Sequence, residues 1–69
     1  MSALVEGKVV NVGDYVGFKS DIEQYGKIVE IKQSYMGASL VLENASGFSG
    51  GYIGGQTITT ELARDCWLD

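Results

Sequence analysis

The sequence predicts an all-β domain, a small five-stranded antiparallel barrel with one short helical turn before the last strand. Three observations predict it. Alternating or β-branched apolar runs recur at Tyr15 to Lys19, Lys27 to Gln33 and Ala38 to Glu43. Turn residues punctuate them, notably Gly13-Asp14, Gly26 and Gly37. Within Lys27 to Gln33, Val29 and Ile31 fall on one face while Ile28 falls on the other with Glu30 and Lys32. A strand that lends residues to both halves of a small barrel through a bulge shows that conflict, whereas a flat sheet does not.

Taken in order, residues 1–12 read as an N-terminal edge strand or arm and residues 13–69 as the barrel, within a single domain. Lys8 to Val12 is the strand of the arm, set off by Gly7, and it covers an open sheet edge or pairs with another subunit. Gly13-Asp14 is a turn. Tyr15 to Lys19 forms the first barrel strand and buries Val16 and Phe18 by period-two alternation. Ser20 to Tyr25 is polar apart from Ile22 and Tyr25, which predicts a loop curling over one barrel end.

The second strand spans Lys27 to Gln33, and Ser34-Tyr35-Met36-Gly37 turns the chain. Ala38 to Glu43 is the third strand, with Leu40 and Leu42 in the core. Gln56 to Thr60 is rich in β-branched residues and forms the fourth. Thr60 then caps a helical turn over Glu61 to Asp65, held down by Leu62. Cys66-Trp67-Leu68 is the last strand, with Trp67 as the plug of the barrel and Cys66 as a small buried hydrophobe.

Composition narrows the function. The chain has 69 residues, a formal net charge of −4, one cysteine and no histidine. No internal disulfide can form, a classical zinc site lacks its usual ligands, and the commonest general base is missing. We therefore expect no catalytic residues, no metal, no cofactor and no enzymatic activity. Lys8, Lys19, Lys27, Lys32 and Arg64 are scattered among nine acids, so nucleic acid is not an expected partner. The apolar content of 45% argues against a disordered tail, and no apolar run approaches the roughly 20 residues of a membrane span. Met1 to Glu6 lacks the basic start and apolar stretch of a secretory signal, which predicts a cytoplasmic location. A core this small raises the expectation of self-association.

The passage Asn44 to Gly55 holds five of the ten glycines together with Phe48, Tyr52 and Ile53. It is a long hairpin connection or a ragged strand widened by glycine. Aromatic residues between glycines can grip a partner, which makes Phe48, Tyr52 and Ile53 the candidate contact residues, with Tyr25 and Tyr35 across the loops. The same backbone can offer N–H groups to a small anion, at Gly50 and Gly51, with Lys27 or Arg64 as counter-charges. The Walker spacing and its lysine are absent.

The Gly13-Asp14-x-Val16 opening, Gly26-Lys27-Ile28-Val29-Glu30-Ile31, a third and fourth strand, a helical turn and a last strand together resemble SH3-like small barrels of the KOW and Tudor type, from about Gly13 to Leu68. With the Cys66-Trp67 ending, the chain also resembles small uncharacterised proteins encoded by bacteriophages, which implies a host cytoplasm. In size and strand order it is similar to plasmid-borne dihydrofolate reductases that assemble four barrels around a pore. That family carries a Gln-Ile pair followed by an aromatic residue on the fourth strand; here Gln56-Thr57-Ile58-Thr59 separates the pair and lacks the aromatic. The resemblance implies a binding protein that engages a host or cellular protein, or itself as a homo-oligomer. A sponge for a nucleotide-like anion and a pore-type reductase are the alternatives.

Overall fold

The computed structural model describes residues 1–69, an all-β chain whose only helical element is one 3-10 turn. The strands are β1 (Ser2–Val5), β2 (Lys8–Asn11), β3 (Tyr15–Ser20), β4 (Ile22–Ser34), β5 (Gly37–Glu43) and β6 (Ile58–Leu62), followed by the 3-10 turn Ala63–Asp65. They form two antiparallel sheets, a two-stranded β1-β2 ribbon and a four-stranded meander β3-β4-β5-β6. The expected five-stranded barrel is corrected here, because the two sheets do not close. The segment after the 3-10 turn contributes a single bridge between Trp67 and Gly17 in place of a fifth strand. No helix is long and apolar enough to cross a membrane.

The arm is a hairpin. Glu6 and Gly7 take φ of 52° and 78°, the left-handed pair that a two-residue turn between twisted strands requires. Gly7, which in the sequence looks like an interruption, is the second residue of that turn. Ala3, Val5 and Val10 face inward onto the main core, and β1 lies against the 3-10 turn.

The expected loop over Ser20 to Tyr25 is absent. β3 and β4 pair down to Ser20 opposite Ile22, with Asp21 alone at the tip at φ 77°. β4 therefore runs for 13 residues and belongs to two strand pairs, with β3 along its first half and β5 along its second. The bulge expected within it is present, with the register to β5 shifting between Ile28 and Glu30. The extra residue, Val29, turns outward, so that Ile28 and Ile31 are both buried although they are three positions apart.

Val16, Phe18, Ile28, Ile31, Leu40 and Leu42 form the centre of the core, joined by Phe48 and Cys66. The rings of Phe18 and Phe48 meet edge to face, with centroids 5.4 Å apart. Three further expectations at the C-terminal end are corrected. The fourth sheet strand starts at Ile58, not Gln56; the helical turn starts at Ala63, whose N-cap Leu62 makes no side-chain capping bond. Trp67 is half-buried and does not plug the interior.

Candidate outer-face site

The outer face of the main sheet carries the one substantial cleft. Register builds it. Tyr15 lies opposite Lys27, Lys27 opposite Glu43, and Glu43 opposite Ile58, so a single row crosses all four strands. Directly paired residues in a sheet share a face, and all four are exposed. Next to the row, Tyr25 pairs with Gly17. At Gly17 the outward position is filled by Trp67, whose indole lies where a Cβ would stand.

Between the row and the chain leaving β5 lies an open cleft of about 520 Å³, lined by Tyr15, Tyr25, Lys27, Glu43, Asn44, Ala45 and Ser46. Its rim is ordered by local hydrogen bonds. The Ser46 amide donates to the Asn44 side-chain oxygen at 3.0 Å, and the Gly47 amide donates to the Asn44 carbonyl at 2.9 Å. The Tyr25 hydroxyl donates to the Asp69 carboxylate at 3.1 Å, which fixes one aromatic wall against the C-terminus. The cleft thus combines two tyrosine rings, an ammonium, a carboxylate and neutral hydrogen-bonding groups on a rigid sheet. That set suits a polypeptide surface, which offers apolar, polar and charged groups together.

The sequence-derived candidates separate into five places. Tyr25 and Lys27 meet in the cleft. Phe48 is 3% exposed and belongs to the core, which corrects its reading as a contact residue. Gly26 explains why: a Cβ there would come 2.9 Å from Leu42 Cβ and 3.3 Å from Phe48 Cζ, so the missing side chain leaves the Phe48 ring its space. Ile53 packs half-buried against the core, whereas Tyr52 is 82% exposed on the same connection. Tyr35 is 99% exposed at the β4–β5 turn and is not part of the cleft. Arg64 is exposed on the 3-10 turn.

On the glycine-rich connection, part of the donor set expected for an anion is already engaged. The Gly51 amide donates to the Asp21 carboxylate at 3.0 Å, and Gly50 packs against the Ser20 carbonyl so closely that a Cβ would come 2.5 Å from it. The Ser49 amide donates to Gln24 Oε1 at 2.8 Å while Gln24 Nε2 donates to the Ser49 carbonyl at 3.0 Å. Asp21 and Gln24 therefore bind the connection to the β3–β4 tip, and an anion at Gly51 would meet a carboxylate already in place.

Tyr15, Glu43 and Asn44 to Ser46 were not among the sequence-derived candidates. Period-two alternation marks Tyr15 and Glu43 as outward, but only the strand register shows that they flank Lys27. No group of three or more His, Cys, Asp or Glu side chains is placed to hold a metal ion. No family model, curated protein or solved structure matches the chain.

Proposed function

We propose that the protein is a small SH3-like module that works by binding a protein surface, without catalysis, through the outer face of β3, β4 and β5. The observation that carries this reading is the cleft that Tyr15, Tyr25, Lys27 and Glu43 line together. Tyrosine offers a large rigid contact area at low conformational cost, which suits it to a binding surface. The architectural part rests on strand order: a meander with a long bent second strand, then a 3-10 turn, then a return to the first strand of the meander at Gly17. The contact residues move accordingly, from Phe48 and Ile53 to Tyr15, Tyr25, Lys27 and Glu43.

A photo-activated benzoylphenylalanine in place of Tyr15, introduced in cells that make the protein, tests this reading. Tyr35, equally aromatic but away from the cleft, is the control position. Protein adducts at position 15 that are absent at position 35 support the proposal. No adduct at 15, or the same adducts at both, overturns it.

A further inference from the structure

The row Tyr15, Lys27, Glu43, Ile58 has a property that none of its members has alone. Read across the strands it runs apolar, positive, negative, apolar. Two such rows laid face to face can be related by a two-fold axis parallel to the strands and passing between β4 and β5. That operation reverses the row. Lys27 then faces Glu43 of the second copy, Glu43 faces its Lys27, and each Tyr15 faces the other copy's Ile58. An axis perpendicular to the strands would instead set Lys27 on Lys27. The charge pattern is thus complementary to itself under one of the two possible closures, as a two-fold interface requires.

From this we infer that the outer face is a homodimer interface, its occupant a second copy of this chain. The inference rests on the binding-module reading, since it uses the same face. The self-complementary order of the row is what favours a second copy over another protein. The net charge of −4 opposes the approach of two copies at long range, and the neutral row adds no repulsion of its own at the contact. Strand spacing of about 4.8 Å gives the row a length of about 14 Å, so the four cross-contacts form together or not at all. Tyr25 and the Asn44 to Ser46 rim lie on the same side of the row, so this closure also places the two clefts opposite each other and lets them share one enclosed space.

Charge reversal tests it. Sedimentation velocity of the wild-type chain over about 10 μM to 1 mM is expected to show reversible dimerisation. K27E or E43K alone turns both cross-contacts repulsive and is expected to weaken association on the order of 100-fold. Mixing K27E with E43K puts two acids against two lysines, and a 1:1 heterodimer forms although neither variant self-associates. The double variant K27E/E43K, which restores complementarity in one chain, dimerises like the wild type. Tyr15→Ser, a change at an exposed position, weakens association without altering the circular dichroism spectrum. A wild-type chain that stays monomeric at about 1 mM overturns the inference. So does a mixture of K27E and E43K that stays monomeric. If, in either case, the crosslinker at position 15 still captures a different protein, the binding-module reading stands and only the self-association is lost.

Discussion

Gly17 and Trp67 are bound to each other at both backbone groups, the Gly17 amide donating to the Trp67 carbonyl at 2.8 Å and the Trp67 amide to the Gly17 carbonyl at 2.9 Å. The indole then folds over Gly17 into the volume of a side chain that is not there. One residue type at position 17 therefore fixes where the C-terminal segment lies and how Trp67 stands beside Tyr25. Gly17 has no left-handed φ, so its requirement is steric alone.

Gly17→Ala is accordingly expected to destabilise the fold by about 1–3 kcal/mol, the usual cost of overpacking. Combined with Trp67→Ala the two costs are not additive, because the clash disappears with the ring. Urea unfolding of the two single variants and the double variant measures the coupling. Additive losses would show that the indole does not lie on Gly17.

Phe48 and Tyr52 stand four positions apart on one connection, yet one is core and the other surface. Phe48→Ala empties a ring-sized volume beside Phe18 and is expected to cost about 3–5 kcal/mol, whereas Tyr52→Ala stays within about 0.5 kcal/mol. Gly26→Ala presses on the same ring and on Leu42 and is expected to cost about 1–3 kcal/mol. Thermal or denaturant unfolding of the three variants checks the order.

Cys66 is buried, its Sγ donating to the Leu62 carbonyl at 3.4 Å. Burial, with the carboxylates of Glu61 and Asp65 nearby, pushes the thiol pKa up to about 12. The folded state therefore keeps the proton longer than the unfolded chain does. Below the unfolded value of about 8.5 the neutral thiol is favoured in both states; above it the unfolded chain ionises first, and stability falls as pH rises toward the folded value. At pH 8, reaction with a disulfide reagent is expected to be at least about 100-fold slower in the native protein than in denaturant. Cys66→Ala removes this group's share of the alkaline loss, so the wild type should lose more stability than the variant between pH 8 and pH 10.5.

Much of the interior was legible because side-chain period is a local property. Val16 with Phe18, and Leu40 with Leu42, are buried as alternation requires, and the conflict of Ile28 with Val29 and Ile31 pointed to a bulge in that strand, which the structure places at Val29, turned outward rather than beside Ile31. What could not be read depends on partners distant in sequence. Ser20 to Tyr25 looks like a loop because it is polar, yet Asp21 and Gln24 spend their polar groups on Gly51 and Ser49, 30 and 25 positions away. Phe48 looks exposed among glycines until Gly26 is placed beneath it. The cleft needs the register of three strands, which one residue of slip would invert.

Glu6 shows the same long-range bond at the N-terminal hairpin. A two-residue turn of this kind favours asparagine at its first position, and glutamate at φ 52° is a poor choice locally. Its carboxylate accepts the Leu68 amide at 2.6 Å and so ties the β1–β2 turn to the C-terminal segment. A carboxylate acceptor is stronger than a neutral one. Glu6→Gln, which keeps an oxygen in place, is expected to cost less than about 1 kcal/mol, and Glu6→Ala about 1–2 kcal/mol. Hydrogen exchange separates a local from a general effect: in Glu6→Ala the Leu68 amide loses its protection first, while the β4 and β5 amides slow or quicken only with global stability. Unchanged protection at Leu68 would mean that the turn and the C-terminus are not joined through Glu6, and Glu6→Asn should then stabilise the hairpin outright.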